Sequence, residues 1–245
     1  MPKTLSTSDP NLQEAVKRLD RTQKTTGWIL IGYGVFTQLV AVSTDPLHPV
    51  AGLPFLAIGF FTLIWGDPAL LAASALLLAL AVVPALTPAV SVLGPDPVVQ
   101  LTEVTGIELL IVVGVKAVLA FNAMQQFLLF RWLYGTERAS SDEPNLAIIP
   151  PMVVNRSDRL ARWSRSTGLI AAGAGLLALG FLAADPAAYA GRVVAELAGA
   201  LAAVAAGLGL GAAFSPTDER PAALLGLGAG LVSYLLAAFV LLRLG

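Results

Sequence analysis

Long apolar segments alternate with short polar segments along the whole chain. A helix needs about 20 apolar residues to cross a bilayer. The period-two alternation of a membrane-spanning barrel is not visible. The pattern therefore predicts an all-α integral membrane protein with seven transmembrane helices. The predicted spans are 27–44, 50–66, 69–93, 101–134, 167–184, 190–213 and 222–243.

Composition agrees with this class and excludes several functions. The chain is 56% hydrophobic and 13% charged, whereas about 25% of the residues in a soluble domain are charged. It has no cysteine and one histidine, which removes disulfides, thiolate zinc sites and iron–sulfur clusters. A net charge of −1 is not the basic footprint of a nucleic-acid-binding protein. We expect no metal, no cofactor and no nucleic-acid partner.

Prolines predict where the helices bend and end. Pro84 and Pro88 are expected to kink the third span, because proline cannot donate the helical hydrogen bond. In an Asp-Pro pair, proline does not continue the preceding helix and aspartate can cap the next one. Such pairs stand at 45–46, 67–68, 96–97 and 185–186.

Two segments, 18–35 and 159–176, carry the same pattern of cations and glycines 141 positions apart. Arg18, Leu19, Arg21, Thr26, Gly27, Ile29, Gly32 and Gly34 recur as Arg159, Leu160, Arg162, Thr167, Gly168, Ile170, Gly173 and Gly175. Three spans follow each copy, and an unrepeated fourth span separates them. The repeat therefore predicts a 3+1+3 arrangement with two parallel three-helix repeats.

This plan divides the chain into five regions. They are a basic amphipathic interfacial helix (1–26), the first three-helix repeat (27–97), the linker span (98–134), a cytoplasmic loop with a second basic helix (135–166) and the second repeat (167–245). The arrangement is similar in topology to SWEET-type sugar transporters, which use parallel three-helix repeats. That likeness implies architecture only, because those proteins have their N-terminus outside and this chain has no PQ-loop-like motif.

The placement of cations predicts the orientation. Of the 15 Lys and Arg residues, 12 lie in segments on the N-terminal side, Arg192 and Arg243 lie on the other side, and Lys116 lies within a span. Positive segments stay in the cytoplasm, so we expect an N-in, C-out protein of the plasma membrane. All four tryptophans fall at the predicted inner interface, where indole rings prefer to lie.

Seven cations are candidate contacts with the membrane surface. In the first basic segment they are opposed by an apolar stripe that includes Leu19, as in a helix that lies at the interface. The candidates are Lys17, Arg18, Arg21, Lys24, Arg159, Arg162 and Arg165. The apolar strip 145–154, interrupted by two prolines and therefore expected to be irregular, is a further candidate for contact with the membrane or a partner.

Polar residues within the spans are the candidate functional groups, because burying a charge in a bilayer costs about 2.5–3.5 kcal/mol. They are Glu108, Lys116, Asn122, Gln126 and Glu196. Glu108 is expected about seven residues inside the fourth span, and Arg192 is the helical i−4 partner of Glu196. Three interpretations stay open. The groups form a proton or ion path, they form internal pairs that hold the fourth span between the halves, or they face a partner subunit.

Enzymatic function is not expected, because the chain has no intramembrane Ser/His pair, no HExxH motif and no phosphate-binding glycine loop. The preferred hypothesis is a scaffold or accessory subunit that assembles with a membrane-protein partner or as a homo-oligomer. The alternative is a small-solute or proton-coupled transporter. A transporter needs a water-filled cavity between the halves that reaches Lys116. A scaffold needs close contacts between helices through its many glycines, among them Gly32, Gly173 and Gly228.

Overall fold

The structure, a computed structural model, describes residues 10–44, 50–86, 97–102, 106–140, 151–184, 189–215 and 217–244. Within these ranges the chain forms helices and no strand, which confirms the expected all-helical class. The helices are α1 (Pro10–Thr44), α2 (Leu53–Trp65), α3 (Ala69–Leu80), α4 (Val82–Leu86), α5 (Pro97–Thr102), α6 (Ile107–Ser140), α7 (Pro151–Ala184), α8 (Tyr189–Phe214) and α9 (Arg220–Leu244).

Five helices are long and apolar enough to cross a membrane, namely α1, α6, α7, α8 and α9. The second and third predicted spans correspond to the shorter apolar helices α2 and α3. Each basic segment continues into the following apolar segment as one unbroken helix, α1 or α7. The repeated Thr-Gly step therefore lies inside a helix and does not separate two elements.

The linker region differs from the prediction in two places. The predicted fourth span is divided, because α6 begins only at Ile107 after Gly106, which has a left-handed backbone (φ 61°). The predicted loop 135–166 is mainly helical, since α6 extends to Ser140 and α7 begins at Pro151. The strip 145–154 was expected to be irregular, and this is wrong for 151–154. A proline at the start of a helix loses no helical hydrogen bond. Residues 145–150 lie outside the described residues.

The third predicted span is interrupted at Ala81, between α3 and α4. The break lies three residues before Pro84, which has no N–H to donate to the carbonyl of Leu80. At the other end of α3, Asp67 Oδ1 accepts a hydrogen bond from the Ala69 N–H at 2.8 Å, as expected of an Asp-Pro pair. Pro88 and the other three Asp residues of such pairs lie outside the described residues.

In the first half, glycines bring α1 and α2 close together. A Cβ atom added to Gly59 would lie 2.9 Å from the carbonyl oxygen of Gly27. One added to Gly34 would lie 2.9 Å from the carbonyl oxygen of Gly52. Small residues allow such backbone contact in membrane helices, where apolar burial alone does not drive association.

In the second half, α7, α8 and α9 all pack extensively against one another. Gly168 of α7 approaches Gly226 of α9, and Gly230 of α9 approaches Ala206 of α8. Helix α8 is the central element, with 67% of its apolar stretch buried.

The two halves meet mainly where α3 packs against α8. Ala69 and Ala73 of α3 face Gly211 and Gly207 of α8, and a Cβ on Gly211 would overlap the carbonyl group of Ala69. Both surfaces therefore present small residues four positions apart, and the two backbones are in contact. Gly32, Gly173 and Gly228 were expected to make such contacts too. This is wrong for all three, because no described atom lies within 4 Å of a Cβ added at any of them.

Candidate functional site

Lys116, the only predicted charge near the middle of α6, is enclosed by the first half. It is 6% exposed. Its Nζ donates hydrogen bonds to the Tyr33 hydroxyl at 3.1 Å and to the Ala81 carbonyl at 3.0 Å. The same Nζ lies 5.1 Å from the centroid of the Tyr33 ring, a cation–π distance. One ammonium group therefore connects α6 to α1 and to the end of α3.

The carbonyl that accepts from Lys116 lies at the break between α3 and α4. The Tyr33 ring is held in turn by Phe55 of α2 in an edge-to-face contact, with 4.9 Å between ring centroids. The Lys116 site is thus built from α6 and from three helices of the first half, which are α1, α2 and the end of α3.

Two buried amides, one on α1 and one on α6, are further polar groups within the bundle. Gln23 Nε2 and Gln126 Oε1 are buried, and neither has a hydrogen-bond partner among the described residues. Gln23 lies ten residues before Tyr33 and Gln126 ten residues after Lys116. Because α1 and α6 run antiparallel, a rise of about 1.5 Å per residue puts both amides about 15 Å from the lysine, at one depth. The pair offers a donor and an acceptor inside the bundle.

The remaining predicted polar residues do not join this site. Glu108 lies in the first turn of α6 and is exposed, rather than seven residues inside a span, because α6 begins at Ile107. Asn122 is half-buried. Glu196 is 2% exposed in α8, and its Oε1 lies 3.7 Å from Arg192 Nε. That contact confirms the expected i−4 partner.

These positions bear on the three interpretations of the polar residues within the spans. Lys116 Nζ donates hydrogen bonds to a hydroxyl and a carbonyl, whereas Glu196 is paired on its own helix in the other half. Helix α6 packs mainly on α3, α1 and α4 of the first half, and it reaches the second half where Arg131 lies over the ring of Phe214. Sequence reasoning missed Tyr33 and Gln23. Their signal was weak, because an aromatic residue in an apolar run is usually part of the core.

The outer surface of α6 is the most exposed of the candidate spans. Only 11% of its apolar stretch is buried. Seven exposed residues follow one another at alternating intervals of four and three, which places them on one face of the helix. We call this face the α6 outer stripe: Ile107, Ile111, Gly114, Val118, Phe121, Gln125 and Leu128. Gly114 has open space beside it, and Gln125 is a polar group on an otherwise apolar surface.

The seven predicted membrane-surface cations are all exposed. The opposite faces of their helices are buried in protein, with Leu19 and Leu160 at 9% and 1% exposure. Lys24 pairs with Asp20 at 2.8 Å. Among the described residues, no group of three or more His, Cys, Asp or Glu side chains could hold a metal ion.

No protein-family profile, curated protein or solved structure matches this chain.

Proposed function

We propose that this chain is a non-catalytic scaffold or accessory subunit of a membrane complex. In this proposal the α6 outer stripe binds a transmembrane helix of a membrane-protein partner. The main support for this proposal is the α6 outer stripe. Its spacing is that of helices packed side by side in a left-handed pair. Gly114 lets a second backbone approach, and Gln125 supplies a hydrogen bond that lipid cannot satisfy.

The proposal includes the seven-span, 3+1+3, N-in topology in the plasma membrane, with α2 and α3 as short second and third crossings. Two contacts support it. Trp65 and Trp163, both predicted at the inner interface, are 5.2 Å apart by ring centroid. Arg131 of α6 lies 5.3 Å from the ring centroid of Phe214 at the end of α8, and both are predicted at that same interface.

The alternative, a transporter that uses Glu108, Lys116 and Glu196, has less support. The surfaces between the halves are in backbone contact at Gly211 and Ala69, which leaves little room there for a solute path. Lys116 is already bonded to Tyr33 and Ala81, and Glu196 lies near Arg192 in a different bundle. A role for these charges in holding helices together accounts for their positions.

The test is to purify the chain in mild detergent and to identify what co-purifies in a fixed ratio. Gly114→Leu should remove that partner, because leucine fills the space that the second helix needs. The fold should tolerate the change, since nothing in the described structure lies within 4 Å of that position. Gly228→Leu is the matched control, because Gly228 is equally open but lies on α9.

Three results would distinguish the hypotheses. Loss of the partner in Gly114→Leu, with retention in Gly228→Leu, supports the scaffold. Self-association that depends on Gly114 identifies the partner as a second copy. A protein that purifies alone and conducts solute or proton flux in liposomes, with flux abolished by Glu108→Gln, would contradict the scaffold and favour transport.

A further inference from the structure

Cations form two exposed rows, one on α1 and one on α7. Their members are three residues apart, so each row occupies a sector of about 120° on its helix. All six side chains are exposed, and the rows occupy equivalent positions of the sequence repeat. The α1 row is Arg18, Arg21 and Lys24, and the α7 row is Arg159, Arg162 and Arg165.

Both rows lie at the same end of the molecule. Leu19, beside the α1 row, belongs to one buried cluster with Leu71 of α3. Trp163, within the α7 row, lies 5.2 Å by ring centroid from Trp65, which is four residues before the start of α3. The two rows therefore flank the first turns of α3.

Each row continues along its helix into an exposed apolar face. Trp28 is 66% exposed four residues after Lys24, and Leu169 is 56% exposed four residues after Arg165. Gly32 and Gly173 follow, with no described atom within 4 Å of an added Cβ. Val35 and Leu176 extend the same two faces at 44% and 65% exposure. The repeat thus preserves an outward face that packing within the protein does not explain.

We propose that each row binds the phosphate headgroup of an anionic phospholipid, whose acyl chains lie along the exposed apolar face that follows. Guanidinium groups bind phosphate through paired, charge-assisted hydrogen bonds. The rows end three residues before Gly27 and Gly168, which lie at the start of the predicted spans 27–44 and 167–184. Three residues advance about 4.5 Å along a helix, which is close to the thickness of one headgroup layer, about 5–7 Å. Basic segments beside a membrane span attract anionic lipids. This inference requires the protein to lie in a membrane but does not require a partner on α6.

Each row has carboxylates nearby. Lys24 is paired with Asp20, and Glu14 is exposed one turn before Arg18. Beside the α7 row, Asp158 accepts hydrogen bonds from the Thr217 hydroxyl and the Asp218 N–H, so its carboxylate is directed at the connection between α8 and α9. Asp218 and Glu219 belong to that same connection, so carboxylates lie near both rows, and the two sites should bind anionic lipid with similar strength.

The test measures lipid retained by the full chain in mixed micelles of phosphatidylglycerol and phosphatidylcholine by native mass spectrometry. The unchanged protein should retain phosphatidylglycerol preferentially. Each cation near a membrane surface contributes about fivefold in affinity. The triple variant R159Q/R162Q/R165Q should therefore weaken retention on the order of 100-fold. R18Q/R21Q/K24Q should have an effect of similar size.

Two controls keep the result interpretable. R159K/R162K/R165K keeps the charge and should retain most of the binding, and Arg243→Gln removes a cation from the last turn of α9 and should change nothing. Equal retention of both lipids by the unchanged protein would overturn the proposal. So would full retention by the glutamine triple variant. Displacement by inorganic phosphate at constant ionic strength would also overturn it, because the site would then bind any phosphate rather than a lipid.

Discussion

In the first half, α1 packs closely on α2, while α3 makes its most extensive contacts with α6 and with α8 of the other half. In the second half, α9 packs on both α7 and α8. The repeated Thr-Gly step shows the same divergence. Gly27 approaches Gly59 of α2, whereas Gly168 approaches Gly226 of α9, and under the predicted duplication α2 corresponds to α8. Equivalent sequences therefore make contacts with non-equivalent helices.

This difference explains where the unrepeated helix fits. The second half completes a three-helix bundle from its own members. The first half turns α3 toward α8 and leaves a surface that α6 occupies, with Lys116 as the polar connection to Tyr33 and Ala81. Under the predicted duplication, α6 takes the place of the contacts that the first copy lacks.

The largest effect is expected from separating the halves. Gly211→Val places side-chain atoms where the backbone of Ala69 lies. Overpacking usually costs about 1–3 kcal/mol, and a backbone overlap that no side chain can relieve should reach at least the upper end. We expect a strong loss of folded protein, measured by thermal unfolding and by size-exclusion chromatography in detergent.

The matched control is Gly228→Val, an open position in the same half. An exposed substitution of this kind should change stability by about 0.5 kcal/mol or less. If the two variants were equally stable, α3 and α8 would not be the main contact between the halves.

The sequence predicted several features because their causes are local. The helical membrane class follows from apolar segment length, the break before Pro84 from a missing N–H, and the Arg192–Glu196 contact from helical spacing. The glycines show where local reasoning stops. Gly27 and Gly34 are seven residues apart and share the packed face of α1, whereas Gly32 lies elsewhere on the helix and faces open space.

The partners of Lys116 depended on tertiary structure. Neither Tyr33 nor the carbonyl of Ala81 carries a mark that connects it to a lysine 83 or 35 positions away. The packing of α6 mainly on the first half likewise depends on how α3 is oriented. Packing between elements distant in sequence determines both features.

An intermediate effect is expected from Lys116→Met, which keeps the length of the side chain and removes its donors. The Ala81 carbonyl then stays buried without this hydrogen bond, which costs about 1–3 kcal/mol. We expect a lower thermal stability in detergent and a weaker association of α6 with the first half. Tyr33→Phe removes only one of the two acceptors and should cost about 1 kcal/mol.

These two variants also test the difference between the halves. Limited proteolysis should show earlier cleavage around α6 in Lys116→Met, while the bundle of α7, α8 and α9 stays protected. Uniform loss of protection in both halves would contradict a local role for the lysine. Unchanged stability would mean that its hydrogen bonds make no net contribution.

The smallest effects compare one carboxylate in each basic segment. Asp158 accepts hydrogen bonds from the Thr217 hydroxyl and the Asp218 N–H, and so joins α7 to the connection before α9. Asp158→Asn should cost about 1–2 kcal/mol, because hydrogen bonds to a charged group are stronger than neutral ones. Among the described residues, Asp20 pairs with Lys24 on its own helix, and this pair is exposed. Asp20→Asn should therefore cost about 0.5 kcal/mol or less.

Thermal unfolding of both variants at two salt concentrations separates the two roles. Added salt screens an exposed pair, so the small effect of Asp20→Asn should disappear at high ionic strength. The effect of Asp158→Asn should persist, because its hydrogen bonds join two segments that are distant in sequence. Equal effects for the two variants would mean that the basic segments are held equally firmly. The close packing of α7, α8 and α9 would then not extend to the part of α7 that carries the cations.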